Sequence, residues 1–157
     1  MAYTHLTEEQ VKKLVEQDCT AADWRHVMIF PGCDLTRING VHFYGTVRIG
    51  DAAGTHAVDG AEMPCGIYGA SIADCDIGDR VRIANIGSVI SNYIIENDVI
   101  IQDVAALVAD PNASYGNGVE LETINEGGGR GVKIINDLSS QAAYVQGMLR
   151  HNAAFTK

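Results

Sequence analysis

The sequence predicts an all-β solenoid, a parallel β-helix with short N-terminal helices and one C-terminal helix. Two observations carry that prediction. Every sixth residue from Ile77 is aliphatic: Ile77, Ile83, Val89, Ile95, Ile101 and Leu107, with Val41 and Val47 in the same phase. The aliphatic content is also lopsided, with 16 Ile and 14 Val against 7 Leu, alongside 17 Gly and 3 Pro. β-branched side chains are stiff and suit pleated surfaces, and glycines serve tight turns. A period of six is neither the ~3.6 of a helix nor the ~2 of a strand. It fits a short strand and a turn, repeated, with one side chain per repeat aimed at a common axis. Three repeats then close one coil of about 18 residues. A lone coil does not hold itself: ordering it costs about 18–36 kcal/mol of backbone entropy. Each buried Ile or Val returns only roughly 1.5–3 kcal/mol. Coils must therefore stack and share ladders and a continuous core.

The elements follow in order. Thr7-Glu8-Glu9-Gln10 reads as a capping box, followed by Val11, Leu14 and Val15 at helical spacing. Asp18-Cys19-Thr20 stops that helix, and Thr20–Asp23 starts a second short one carrying Trp24, which anchors the cap by packing. Pro31-Gly32 ends it. Residues 1–30 thus form a helical cap and 38–137 the β-helix, with a Gly- and Ala-rich loop excursion over 51–65. Asp110–Gly118 is a second loop, Val119–Ile124 a strand, Gly127–Gly131 a turn and Val132–Ile135 another strand. Asp137 or Ser139 caps a final helix over 138–152. Ile86 with Val104, and Ile90 with Val108, recur out of phase and read as an outward aliphatic stripe that a cyclic oligomer would cover.

Charge bounds the function. With 11 Lys+Arg against 20 Asp+Glu the net charge is −9, which disfavours phosphate backbones and anionic membranes as partners. The longest apolar run, Val99–Ala109, is broken by Gln102 and Asp103, and the polar MAYTHLTEEQ opening is no signal peptide. Cytoplasmic residence is the expectation. Cys19, Cys33, Cys65 and Cys75 form no CxxC pair and read as small buried hydrophobes, with no zinc spacing among them.

Three segments carry a resemblance: LTEEQVKKLVEQDCTAADW, SNYIIENDVIIQDV, and SYGNGVELETINEGGGRGVKIINDLSSQAAYVQGMLRH. Together they resemble the N-terminal domain of a domain-of-unknown-function family of hexapeptide-repeat, left-handed β-helix, transferase-like proteins. The resemblance covers most of residues 3–151. It alone implies the left hand, a homotrimer, and a chain that is either an excised domain of a longer protein or a short relative. By the same resemblance, a substrate lies between subunits and a histidine acts as general base on an acceptor hydroxyl or amine. His56, in the 51–65 excursion, is the positional candidate. His5 and His151 lie in terminal helical segments, His26 beside Trp24, and His42 on the first strand. Related carbonic anhydrases bind metal through three histidines, but residues 57–150 hold none, so no metal is expected.

A second candidate is the polar cluster of Asn117, Glu120, Asn125, Glu126 and Arg130, which Asn92 could join. Glu120 and Glu126 are acid–base candidates; the carboxamides and Arg130 suit a sugar, phosphate or carboxylate. No Lys occurs between Lys13 and Lys133, so Arg80, Arg82 and Arg130 are the basic positions open to an anionic substrate. Two functions follow. One is a transferase-like, trimeric protein acting on a small nucleotide- or sugar-linked substrate. The other is a non-catalytic oligomerisation or scaffold module of a longer protein. No cofactor is assigned.

Overall fold

The computed structural model describes residues 3–110, 112–113, 118–122, 131–135, 138–149 and 151–152. The chain divides into two units, 1–111 and 112–157. The boundary falls after Pro111, whereas the repeat pattern carried the β-helix domain through residue 137.

Unit 1 opens with strand β1, Thr4–His5, and helix α1, Glu8–Glu16. Thr7 caps α1 as the sequence implies: its hydroxyl accepts the Gln10 N–H, and the Gln10 side chain accepts the Thr7 N–H at 2.9 Å. Glu8 and Glu9 sit at the positive end of the helix dipole, and Leu14 is fully buried beneath it. Past the helix, Gln17 ties the cap down by donating to the carbonyls of Leu35 and Ile38 at 2.7 and 2.6 Å.

No helix starts at Thr20. Thr20–Ala21 is strand β2, paired parallel with His42 and Phe43. Asp23 instead caps a single 3-10 turn, Trp24–His26, by accepting the Arg25 N–H at 2.9 Å. Sheet pairing to a distant strand outweighed a local capping signal. Trp24 does anchor the cap, edge-to-face on Phe43 with centroids 6.2 Å apart.

Strand β3, Val27–Ile29, precedes β4, Ile38–Ile49. A hairpin of β5, Thr55–Val58, and β6, Ala61–Pro64, occupies the expected loop excursion. Asp59 and Gly60, both at positive φ, turn it, as a two-residue hairpin loop requires. Then follow β7, Gly66–Ile77; β8, Arg82–Ala84; β9, Ile90–Ser91; β10, Ile94–Ile95; β11, Ile100–Gln102; and β12, Leu107–Val108.

These strands form three parallel ladders, with β1 antiparallel at one edge. Each ladder stacks a column of apolar side chains. Ladder A (β3, β4, β7, β10) aligns Ile29, Ile49, Ile77 and Ile95. Ladder B (β4, β7, β8, β11) aligns Ile38, Ile67, Ile83 and Ile101. Ladder C (β2, β4, β7, β9, β12) aligns Ala21, Phe43, Ile72, Ile90 and Leu107. The partners of β7 with β9 and β10, and of β8 with β11, are the 18 residues apart that the period implies, as in Ile77 with Ile95 and Ile83 with Ile101, whereas β7 and β8 are offset by 16 and β9 and β12 by 17.

Strands β4 and β7 are long because each bends and serves all three ladders. The bends fall at left-handed residues: Gly40 and Gly69 at one corner, Gly45 and Asp74 at another. At Gly45 a Cβ would run into the Asp74 carboxylate, which accepts the Thr46 N–H at 2.9 Å. Side chains tie successive corners together. Asp79 accepts the Asp51 N–H and Asn97 the Asp79 N–H, both at 2.8 Å, and Asn85 donates to Asp103 at 2.6 Å.

Two phase expectations need correction. The outward stripe is not outward: Ile86 and Ile90 belong to the core, Val104 packs against it, and only Val108 is exposed, at 60%. The third repeat position is also shifted, because Ile90, not Val89, pairs with Ile72 and Leu107. The step from Ile83 to Ile90 is therefore seven residues rather than six. The aliphatic residues that do face out precede the inward ones: Ile94, 75% exposed, and Ile100. All four cysteines are free and buried, as expected of small hydrophobes, and burial pushes the thiol of each upward.

Unit 2 contains the antiparallel pair β13, Glu120–Leu121, and β14, Val132–Lys133, within the two expected strands. Its helix α2, Ser140–Leu149, is capped by Ser139, whose hydroxyl accepts the Ala142 N–H at 3.1 Å. No described helix is long and apolar enough to cross a membrane.

Candidate functional site

The base of the β5–β6 hairpin gathers the first candidate residues. His56 lies on β5 with its Nε2 2.6 Å from the Arg80 carbonyl oxygen, so that nitrogen carries the proton and donates it. Only Nδ1 remains as an acceptor. Arg37 donates to the carbonyl of Gly54 at 2.8 Å and approaches that of Cys65. Arg82 donates to the Pro64 carbonyl at 2.8 Å while its guanidinium lies 5.4 Å over the Tyr68 ring. Tyr68 donates its hydroxyl to the Cys65 carbonyl at 2.9 Å. On the strands themselves, the Thr55 hydroxyl bonds the Glu62 carboxylate.

Arg80 stands at a corner and pairs with Asp98, one repeat coil-length of 18 residues on, at 2.5 Å. That hydrogen bond holds the Asp98 carboxyl below the usual carboxylate range, with the nearby His56 adding in the same direction. Arg80 and Arg82 were the basic positions open to an anionic substrate. Here the first is committed to a carboxylate and the second to a backbone carbonyl and an aromatic ring.

A second feature lies on the outward side of ladder A, where Met28, Arg48, Asp76 and Ile94 align across four strands. Arg48 and Asp76 form an ion pair at 2.7 Å. They floor an open groove of about 260 Å³ that Thr46, Asp74, Tyr93 and Ile94 complete. A neighbouring cavity of about 240 Å³ shares Asp76 and Ile94 and adds Tyr3 and Glu96. Burial, then the charges of Asp76 and Asp79, push the Tyr3 phenol upward.

The remaining candidates separate. Asn92 is a left-handed corner residue whose side chain donates to the Ala109 carbonyl at 2.7 Å, a turn-holding bond. Glu120 lies in unit 2, exposed, opposite Lys133 in the β13–β14 pair. Asn117, Asn125, Glu126 and Arg130 lie outside the described residues. Of the sequence candidates, then, the structure brings His56 together with Arg80. It adds Arg37 and Tyr68, which nothing in the pattern singled out. The 18-residue offset could have flagged Arg80 with Asp98; Arg48 with Asp76, 28 residues apart across the hairpin insertion, gave no such signal.

Comparison with known proteins places the chain. The family described as Domain of unknown function (DUF4954) matches residues 3–157. The chain belongs to that family. It is also similar to an uncharacterized protein of Treponema pallidum (strain Nichols), 26% identical over 141 residues. That match covers 82% of this chain and 19% of the relative, so the chain spans about a fifth of the relative's length. No solved structure matches.

Proposed function

We propose that this chain is a structural module: a left-handed, hexapeptide-repeat β-helix that self-associates and serves as a scaffold within a longer protein. One observation supports the reading above others. The polar side chains that chemistry would need are used to hold coils and hairpin together: His56 on a carbonyl, Arg80 on Asp98, Arg82 and Arg37 on the hairpin base, Asn92 on a turn. The three stacked apolar columns, two of them all Ile, support the β-helix assignment, and the resemblance supplies its hand. Light scattering on the 157-residue chain tests the reading. It expects an oligomeric mass, and a monomer across the concentration range would sink it.

The groove over Arg48 and Asp76 favours a second reading, a transferase-like protein that takes a sugar- or nucleotide-linked substrate. Isothermal titration with acyl-CoAs and nucleotide sugars separates the two. Saturable heat with one of them, abolished by Arg48→Ala, would favour the substrate reading over the scaffold. The homotrimer that the resemblance implies is the order of assembly this second reading needs.

A further inference from the structure

The two cavities on the outward side of ladder A share Asp76 and Ile94, and so run into one another as a single trough. Arg48, Asp76 and Ile94 stand abreast there on β4, β7 and β10. Asp74 lies two residues before that line and Glu96 two residues beyond it. At ~3.3 Å per residue the trough is about 13 Å long, enough for two pyranose rings.

Its donors and acceptors lie side by side. Arg48 spends one nitrogen, Nη1, on both Asp76 oxygens, at 2.7 and 3.0 Å. Its Nε and Nη2 have no partner among the described residues and remain donors. Asp74 gives Oδ1 to the Thr46 N–H and keeps Oδ2 as an acceptor. Glu96 is exposed, with no hydrogen bond or ion pair among the described residues. Burial and the charges of Asp76 and Asp79 hold the proton on the Tyr3 phenol, which is therefore a donor. Between these groups Ile94 offers a largely exposed apolar surface.

That mixture selects among ligands. Three carboxylates face one guanidinium, itself already paired. A phosphate brings acceptors alone and meets Asp74 and Glu96 with like charge. An ammonium brings donors alone and leaves Arg48 and Tyr3 unmatched. A sugar hydroxyl donates and accepts at once, and a pyranose ring adds C–H faces that suit Ile94. Resting on the substrate reading of this groove and narrowing it, we propose that the trough over Arg48, Asp76 and Ile94 binds an uncharged saccharide of one or two rings.

Titration of the 157-residue chain with glucose, galactose, mannose, N-acetylglucosamine, maltose and cellobiose, followed by amide proton–nitrogen correlation spectra, tests it. At least one of these should shift the Arg48, Asp76 and Ile94 amides saturably, with a Kd on the order of 1 mM for so open a cleft. Glu96→Ala should weaken that binding about tenfold, the loss of one hydrogen bond to a charged group. Ile100→Ala, on ladder B, should leave it as it is. Inorganic phosphate and uridine monophosphate should leave the three amides in place. Binding that Glu96→Ala does not weaken overturns the placement in this trough. Shifts with the nucleotide and with none of the sugars overturn the saccharide assignment and keep the substrate reading. Silence from all of these probes, and from nucleotide sugars and acyl-CoAs as well, overturns both and leaves the scaffold.

Discussion

Replacing Ile83 with alanine probes the stacked core directly. Ile83 is fully buried and sits mid-column between Ile67 and Ile101. The change removes three carbons, worth about 2.4 kcal/mol at ~0.8 kcal/mol each. The neighbouring strands are hydrogen-bonded on both sides and do not collapse freely, so a cavity remains. The total should reach about 3–4 kcal/mol, within the ~2–5 kcal/mol usual for such truncations. Ile94 is the internal control. It stands on β10 but points outward, 75% exposed, so roughly a quarter of the transfer value, about 0.6 kcal/mol, is lost. Urea unfolding followed by far-UV circular dichroism and by the fluorescence of Trp24, the single tryptophan, reads both. With a slope near ~2 kcal/mol/M, Ile83→Ala should lower the midpoint by about 1.5–2 M and Ile94→Ala by about 0.3 M. Equal shifts for the two would refute the assignment of inward and outward positions on which the stacked-column account depends.

Other perturbations separate the corner devices. Gly45→Ala should cost about 1–3 kcal/mol by thermal unfolding, because φ is positive and the new Cβ meets Asp74. Gly69→Ala, equally left-handed but with nothing within 4 Å of its Cβ, should cost only about 1 kcal/mol. Asn97→Ala removes the acceptor of the Asp79 N–H and should cost about 1 kcal/mol in chemical denaturation. The Asp23 carboxyl is lowered to about 2, first by the hydrogen bond from Arg25. A depressed carboxyl stabilises the fold above its unfolded pKa of ~3.9 and loses that contribution as pH falls toward its folded value. Asp23→Asn should therefore lower stability at neutral pH, where that contribution is fully present, and flatten the acid limb between about pH 4 and 2, the two proteins converging below that range. His56→Ala should speed amide exchange in the β5–β6 hairpin while the ladder C amides keep their protection, as local opening requires. Equal acceleration in both places would remove the hairpin-pinning role of His56.

Parts of the molecule were legible in the chain. The capping box Thr7–Gln10 and the Ser139 cap were readable because a cap needs only residues three apart. The Ile77–Ile95 and Ile83–Ile101 pairs were readable because their strands keep the 18-residue offset, which Ile67 with Ile83, 16 apart, and Ile90 with Leu107, 17 apart, do not. The strand character of Thr20–Ala21 was not, since its partners lie 22 residues away on β4 and a local signal there favoured a helix start. The inward role of Ile90 over Val89 was hidden for a related reason. The step from Ile83 to Ile90 takes seven residues where the repeat takes six, and a fixed period does not register the extra residue.

By itself, then, the sequence determined the strand-rich composition, the six-residue rhythm, the caps of both helices and a surface of strong negative charge. Only the tertiary structure decided which aliphatic side chains are core and which face out, that His56 holds a hairpin, and that Arg48 meets Asp76. The physical reason is the same in each case. Periodicity and capping act over a few bonds and are written locally. Ion pairs, hairpin anchors and the make-up of a face depend on strands brought side by side across insertions of unequal length, and those lengths break any fixed spacing.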